Sequence, residues 1–126
     1  MNIEQLKQAA KDVAAKTYSP YSNFPVAAAY YDENGDLFTG VNVENVSYGL
    51  TICAERNAIC SAVTKGSRTI HTLVIYTPTP TPTPPCGACR QFIKEFSENA
   101  RIISICDSDQ VTDTTIDKLL PGSFTL

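Results

Sequence analysis

The 126-residue sequence has a single histidine and no apolar run near the roughly 18 residues of a membrane span. One histidine excludes a metal site built mainly from imidazoles, and the missing apolar run excludes a helix that spans a bilayer. The first residues, Met1–Glu4, also lack the basic start and apolar stretch of a secretory signal. We therefore expect a cytoplasmic protein with no membrane partner.

Positive charge is scarce as well, because Lys and Arg number 10 against 13 Asp and Glu, for a formal net charge of -3. The few cations are scattered, which argues against a surface that follows a nucleic-acid backbone and favours a small-molecule ligand. The chain has five cysteines, an odd number. In a cytoplasmic chain of this length they favour metal binding or catalysis over a disulfide framework.

The apolar pattern predicts alternating helices and strands without an internal repeat or linker, and hence a single domain over residues 1–126. Four helices are predicted: the first begins after Asn2, the second runs from Cys53 to Thr64, the third follows Pro85, and the last is a single turn over 117–120. The predicted strands are 26–31, 37–43, 69–76, 101–106 and a short fifth, 111–115. Asn34-Gly35 predicts an antiparallel hairpin, whereas the later helices predict parallel crossovers. The expected fold class is α/β, with a mixed sheet covered by helices.

Residues 77–85 alternate threonine and proline, a composition that favours a stiff, extended polyproline conformation. One Pro82-x-x-Pro85 spacing is compatible with an SH3-type ligand, but such a spacing arises easily by chance. The favoured interpretation is a rigid connection that aims the start of the helix at Cys86.

Three cysteines stand at or near predicted helix starts, namely Cys53, Cys86 and Cys89. The unpaired N–H groups and the helix dipole favour thiolates at such positions. Three protein ligands leave the fourth tetrahedral position to water, which indicates a catalytic zinc site rather than a structural one. These cysteines are therefore the candidate ligands of a zinc ion.

Two side chains near Cys53 complete the candidate site. Glu55 matches the carboxylate that shuttles protons, without binding the metal, in zinc deaminases of nucleobases. Cys53 and Glu55 can share a pocket only if Cys53 stands at the very start of its helix, since positions two apart on a helix point to opposite sides. Arg56 is placed to hydrogen-bond the Cys53 sulfur and offset the negative charge of zinc with three thiolates. We hypothesise that Arg56 keeps the zinc water acidic enough to react near neutral pH.

Five blocks of this sequence resemble the small homotetrameric cytidine deaminases over nearly the whole chain. In order, they read YSPYSNFPVAAA, FTGVNVEN, SYGLTICAERNAI, PPCGACRQF and LLPGSF. The resemblance implies a three-layer α/β/α fold with a five-stranded sheet, and hydrolysis of cytidine or deoxycytidine to the uridine and ammonia in pyrimidine salvage. It also implies one Zn2+ per subunit, held by Cys53, Cys86 and Cys89. In such enzymes a zinc-bound hydroxide attacks C4 of the base while the equivalent of Glu55 moves protons.

The same resemblance implies roles in substrate binding. Phe24 resembles the residue that stacks on the pyrimidine, Asn42 and Glu44 resemble those that hold the ribose 3′-hydroxyl, and Ala54 corresponds to a backbone contact to the base. Taken singly, Phe24 is better explained as a core residue, and Asn42 and Glu44 are equally well explained as turn residues.

Two aromatic residues look like those that neighbouring subunits contribute to each other's active sites, namely Tyr48 and Phe124. The tetramer would then be part of the active site, although each residue alone is more often a surface or core aromatic. The sequence departs from the family pattern at Ala27, where glycine is common, at Asn23, where lysine is frequent, and in its repeated Thr-Pro pairs. These departures affect substrate preference rather than the chemistry.

Other functions remain open. A thiol redox protein using Cys86-Gly87-Ala88-Cys89 does not explain Cys53-x-Glu55, and a structural zinc module with Cys106 or Cys60 as fourth ligand leaves Glu55 without a role. Within the enzymes, the nearest alternative is a deaminase of modified cytosine nucleosides such as blasticidin S. Cys60 and Cys106 are otherwise predicted to be packing cysteines. His71 is predicted to be a structural residue within a strand.

Overall fold

The computed structural model describes all 126 residues, as four α-helices, five strands and two short 3-10 turns. The helices are α1 (Ile3–Val13), α2 (Ala54–Thr64), α3 (Gly87–Lys94) and α4 (Ile116–Leu119). The strands are β1 (Ala27–Tyr31), β2 (Leu37–Val41), β3 (Thr72–Tyr76), β4 (Arg101–Ile105) and β5 (Val111–Thr115). No helix combines the length and the apolar character needed to cross a membrane.

The five strands form one mixed sheet in the order β2-β1-β3-β4-β5. Only β3 and β4 are parallel, and α3 makes the crossover between them, as the pattern predicted. The β1–β2 hairpin closes at the predicted turn, where Gly35 takes a positive φ of 83° and donates its N–H to the Asp32 carbonyl at 3.0 Å. The predicted mixed sheet is confirmed.

Helices cover both faces of this sheet. On one face, Leu6 and Ala10 of α1 are fully buried against strand residues that include Val74 and Ile103. On the other face, α2, α3 and α4 pack on a second buried cluster: Ala28, Tyr30, Ala54, Ala58, Ile59, Ala62, Ile70, Leu73, Ile75, Ile93, Ala100, Ile102 and Ile116. The result is the predicted three-layer α/β/α arrangement.

Helix α2 lies directly on β2, with no side chain between them at Gly40. A Cβ built on Gly40 would lie 2.5 Å from the Ala54 carbonyl oxygen and would overlap the Ala58 backbone. Asn57 adds a hydrogen bond from its side-chain amide to the Val41 carbonyl at 2.8 Å. Because of this close approach, the first turn of α2 has a fixed position on the sheet.

Two strands, β2 and β3, are shorter than predicted by two residues or more. β3 begins at Thr72 rather than residue 69, and the exposed His71 precedes it, so the placement of His71 within a strand is wrong. β2 ends at Val41 because the Asn42 carbonyl accepts from the Tyr18 N–H and the Val26 N–H donates to the Asn42 side chain, while Val43 exchanges backbone hydrogen bonds with Ile52. That bridge links β2 to the segment before α2.

Two further predictions need correction, one for Cys60 and one for the Thr-Pro segment. Cys60 is exposed, not a packing cysteine, because the buried face of α2 is formed by its neighbours Ala58, Ile59 and Ala62. Cys106 is buried, as predicted. The Thr-Pro segment is not extended throughout, since it bends over residues 78–81.

Candidate active site

Three sulfur atoms converge where α2 and α3 begin. Cys53 is the N-cap residue of α2, Cys86 is the N-cap residue of α3, and Cys89 lies in the first turn of α3. Their Sγ atoms all lie within 4.8 Å of one another, and Cys53 and Cys86 are 3.9 Å apart. That separation is far longer than the ~2.05 Å of a disulfide bond. Cys106 and Cys60 do not belong to this group, so the alternative of a structural zinc site with a fourth cysteine is not supported.

The spacing of the sulfurs fits a tetrahedral zinc ion. Zn–S bonds of about 2.3 Å at tetrahedral angles place two sulfurs roughly 3.8 Å apart. Both helices also direct their unpaired N–H groups toward the cluster, and the Cys89 N–H donates to Cys86 Sγ at 3.4 Å. Three soft thiolates, with no fourth cysteine or histidine nearby, suit zinc with one position left free.

The surroundings favour a negative charge on Cys53. The pKa of Cys53 is lowered to about 5, chiefly because the Cys89 thiol hydrogen-bonds to it and also because Arg56 is adjacent. Arg56 Nη2 donates to Cys53 Sγ at 3.2 Å, as predicted from the sequence. The pKa of Cys89 is raised, chiefly because of the neighbouring Cys53 and also because of burial.

Glu55 lies in the first turn of α2 and is 3% exposed. Burial raises the pKa of its carboxyl, and Oε1 has no hydrogen-bond partner in the chain. Arg56 Nε, beside the sulfurs, is also buried without a partner. An unpaired carboxylate oxygen beside three clustered thiols fits a bound metal with a reactant next to it.

A cavity of about 400 Å³ opens beside the cluster. Its lining residues are Ser22, Phe24, Val26, Asn42, Glu44, Thr51, Cys53, Ala54, Glu55, Ile75, Thr83, Pro84 and Cys86. We call the part formed by Cys53, Glu55 and Cys86 the sulfur side, and the part formed by Phe24, Asn42 and Glu44 the loop side. The cavity thus brings together seven of the residues singled out from the sequence, while Cys89 lies buried behind it.

The loop side is held by hydrogen bonds from polar side chains to the backbone. The Glu44 carboxylate accepts from the N–H groups of Tyr21 and Ser22 at 2.9 and 3.1 Å, and from the Ser22 hydroxyl. The Ser22 hydroxyl is the main reason that the pKa of Glu44 is lowered. Asn42 accepts from the Val26 N–H at 3.1 Å and donates to the Phe24 carbonyl at 2.9 Å. Both side chains therefore shape residues 21–26 as well as line the cavity.

Tyr48 and Phe124 lie outside both this cavity and the sulfur cluster. Tyr48 is 76% exposed, and its ring packs edge-on against the Tyr21 ring, with ring centroids 6.2 Å apart. Phe124 is 73% exposed and lies beside Gln91 of α3 and Glu95, the residue that follows this helix. One chain does not bring either aromatic side chain to the sulfur cluster.

Some cavity residues were not singled out from the sequence. Ser22, Thr51, Thr83 and Pro84 line the cavity, and Ser22 also holds Glu44. Ser22 lies within the block YSPYSNFPVAAA, Pro84 is the first residue of the block PPCGACRQF and Thr83 directly precedes it, so proximity to these motifs was the available signal.

Comparisons with known proteins agree with this geometry. A model of the cytidine and deoxycytidylate deaminase zinc-binding region matches residues 1–105. The chain belongs to this family. A cytidine deaminase from Sporosarcina psychrophila is 40% identical over 98% of this chain and 92% of its own length. The crystal structure of a cytidine deaminase from Burkholderia pseudomallei has a TM-score of 0.94 at 40% identity, covering 98% of this chain and 100% of that one. A cytidine deaminase from Mycobacterium tuberculosis has a TM-score of 0.85 at 35% identity, covering 100% of this chain and 99% of that one.

Membership in this deaminase family establishes the general class of function. The chain is a zinc-dependent hydrolase of the cytidine deaminase family, and its three-cysteine cluster fits one Zn2+ per subunit. A nucleoside-sized small molecule fits the cavity beside that cluster. The alternative function considered from the sequence, that of a thiol redox protein, does not agree with membership in this family.

Proposed function

We propose that this chain hydrolyses cytidine and deoxycytidine to uridine and deoxyuridine, with release of ammonia, in pyrimidine nucleoside salvage. The observation that carries this proposal is the position of Glu55, whose buried carboxyl lines the same cavity as Cys53 and Cys86. The relatives named cytidine deaminase, aligned over nearly the full chain, support the choice of cytidine.

Cys53, Cys86 and Cys89 are the proposed ligands of the zinc ion. When bound, zinc supplies a Lewis acid that makes water reactive near neutral pH. Arg56 balances the charge of the three sulfurs through its hydrogen bond to Cys53. The N-termini of the helices that are capped by Cys53 and Cys86 also help to balance this charge, since their N–H groups stabilise negative charge.

Glu55 is proposed to move the protons of the reaction. It takes a proton from the attacking water and delivers it to N3 of the base as the new C–O bond forms at C4. The same carboxyl then receives the second water proton and gives it to the amine, so that the C4–N bond breaks and ammonia leaves. Burial raises the pKa of Glu55, which suits a carboxyl that must be protonated in part of the cycle.

The loop side is proposed to bind the nucleoside. Phe24 is 39% exposed beside the cavity, where its ring is available to stack on the pyrimidine. Asn42 and Glu44 are proposed to hold the ribose 3′-hydroxyl, and the backbone of Ala54 to contact the base. All four residues line the one cavity, which supports these roles together.

The proposed assembly is a homotetramer in which neighbouring subunits complete each site. Tyr48 and Phe124 are exposed aromatic residues without a role inside their own chain, and Val46 and Leu50 extend the apolar surface around Tyr48. Several large exposed apolar residues close together in the sequence indicate an interaction surface. Tyr48 and Phe124 are the residues proposed to enter a neighbouring site.

We further propose that residues 1–126 act as one catalytic domain in the cytoplasm. The sheet and the helices on both of its faces use residues from the whole chain, including β5 and α4 beyond residue 105. All five cysteines are free thiols, which fits a reducing compartment.

Replacing Glu55 by Gln tests the proposed function. The rate at which cytidine absorbance is lost is expected to fall by about 10²–10⁴-fold, because the amide cannot carry protons. Zinc content and the thermal midpoint should remain those of the unsubstituted protein. Full activity of Glu55→Gln would contradict the mechanism. Equal rates on free cytosine and cytidine would contradict the ribose contacts, and assays with deoxycytidine and blasticidin S define the substrate range.

Replacing Arg56 by Gln tests the charge-balancing role. The variant is expected to lose zinc to a competing chelator at least about 10-fold more readily, as when other partners of metal ligands are removed. Arg68→Gln, a change at an exposed arginine that donates only to backbone carbonyls, is the matched control. Unchanged zinc retention in Arg56→Gln would refute this role.

A further inference from the structure

The Thr-Pro segment, residues 77–85, is a feature of the sequence that the proposed function does not use. The structure shows that it folds against the loop after β4 rather than projecting into solvent. The Thr79 carbonyl accepts the Asp107 N–H at 2.9 Å, and the Pro80 carbonyl accepts the Ser108 hydroxyl at 2.7 Å. The Thr79 N–H also bonds to the Thr77 carbonyl at 2.9 Å, which closes a three-residue turn around Pro78.

Three threonine hydroxyls of this segment are linked by hydrogen bonds in a hydroxyl chain, and the direction of donation along it is fixed. Thr79 Oγ1 donates to the Thr81 carbonyl at 2.7 Å, and a carbonyl can only accept. Each hydroxyl has one proton, so Thr79 must accept from Thr77, whose Oγ1 lies 2.8 Å away. Thr77 is fully buried, and its own proton is therefore used inside the protein.

The Thr83 hydroxyl is the first donor of this hydroxyl chain. Its Oγ1 lies 3.4 Å from Thr77 Oγ1, a long contact in which only Thr83 has a proton to donate. Thr83 also lines the cavity, together with Glu55 and Cys86 of the sulfur side. With its proton directed at Thr77, the hydroxyl of Thr83 has only lone pairs to offer a ligand in the cavity.

We propose that Thr83 is a specificity-determining residue that accepts a hydrogen bond from the exocyclic amino group of cytosine. This inference rests on the proposed function, which places C4 of the base beside Glu55 and the sulfurs. The amino group of the substrate is a donor, whereas the C4 carbonyl of the product is an acceptor and faces the same lone pairs. Thr83 thus favours binding of the substrate over the product.

The test measures binding in the Glu55→Gln background, where cytidine is not consumed, by titration calorimetry with cytidine and uridine. Thr83→Val keeps the shape of the side chain but removes the acceptor. The ratio of the uridine Kd to the cytidine Kd is expected to fall by about fivefold or more, the value of a neutral hydrogen bond. Thr83→Ser should keep the ratio within about twofold, because the hydroxyl remains.

Thr79→Val tests the direction of the hydroxyl chain from a residue that does not line the cavity. Without Thr79 as acceptor, the Thr77 proton turns to Thr83, and the Thr83 proton turns to the cavity. The uridine Kd is then expected to fall about fivefold. Thr81→Val is the matched control, since the Thr81 hydroxyl is exposed and makes no hydrogen bond.

An unchanged Kd ratio in a folded Thr83→Val protein would overturn the inference. Should Thr83→Val fail to fold, an unchanged uridine Kd in Thr79→Val would overturn it instead. Failure of the proposed function has a different signature, since the unsubstituted enzyme would then leave cytidine unconverted whatever the Kd values.

Discussion

The sulfur side and the loop side of the cavity are built by different means. On the sulfur side, Cys53 and Cys86 cap two helices that rest on the sheet, and the close approach at Gly40 fixes the first of these helices. On the loop side, residues 21–26 are held mainly by hydrogen bonds to Glu44 and Asn42. The sulfur side therefore depends on packing, whereas the loop side depends on a few polar side chains.

The two sides also differ in how complete they are within one chain. The sulfur cluster and Glu55 need no residue from elsewhere, and Cys89 and Glu55 are buried. Around the loop side, Tyr48, Val46 and Leu50 remain largely exposed. Under the proposed function, the chemistry that needs fixed geometry lies on the rigid framework, and the proposed substrate contacts lie where a neighbouring subunit would complete them.

The largest effect is expected from Gly40→Ala, which acts on the packing of the sulfur side. The added methyl group overlaps the Ala54 carbonyl and forces the start of α2 away from β2. Overpacking of this kind costs about 1–3 kcal/mol in the free energy of unfolding. A shift of the catalytic groups by about 1 Å lowers kcat by about 10²-fold. Chemical denaturation and steady-state kinetics measure the two effects.

Gly49→Ala is the matched control near the loop side. A Cβ on Gly49 meets nothing within 4 Å, and we expect a change in stability of less than about 0.5 kcal/mol. Equal losses in Gly40→Ala and Gly49→Ala would show that the two sides do not differ in packing.

A smaller effect is expected from Tyr48→Ala, which tests whether the loop side is completed by another subunit. The KM for cytidine should rise by about 10-fold with a smaller change in kcat, since an interface aromatic is lost without disturbing Glu55. Light scattering should show a weakened assembly in the same variant. Val111→Ala, at an exposed apolar residue on β5, serves as the control. A monomeric, fully active unsubstituted enzyme would refute the shared-site proposal.

The sulfur side could be predicted from the sequence because its signals are local. Cys53-x-Glu55 and Cys86-x-x-Cys89 each lie within one helix start, where capping and the helix dipole act over a few residues. The requirement that Cys53 precede the first turn is met, since Cys53 is the N-cap residue. The mixed sheet followed in the same way from short apolar runs and one Asn-Gly turn.

The remaining features depend on tertiary contacts that a single sequence does not contain. Gly40 looks like an ordinary strand glycine until α2 is packed on it. Cys60 stands in an apolar stretch, yet it is exposed because only one side of α2 faces the sheet. The Thr-Pro segment bends because its carbonyls meet the loop at 107–108, far along the chain.

The smallest effect is expected from Glu44→Gln, which removes the charge that holds the loop side while keeping the side chain's shape. The pKa of Glu44 is lowered from the usual 4.5, mainly by the Ser22 hydroxyl, so ionised Glu44 stabilises the folded state above about pH 4.5. That contribution is lost as the pH falls through the lowered pKa. Without substrate, the thermal midpoint of Glu44→Gln should therefore lie below that of the unsubstituted protein at pH 7, and the difference should close as the solution becomes more acidic. Glu33→Gln, at an exposed carboxylate that accepts no hydrogen bond in the structure, should show no such difference. A gap for Glu44→Gln that stays constant with pH would mean that charge does not hold these loops, and the contrast between the two sides would then rest on packing alone.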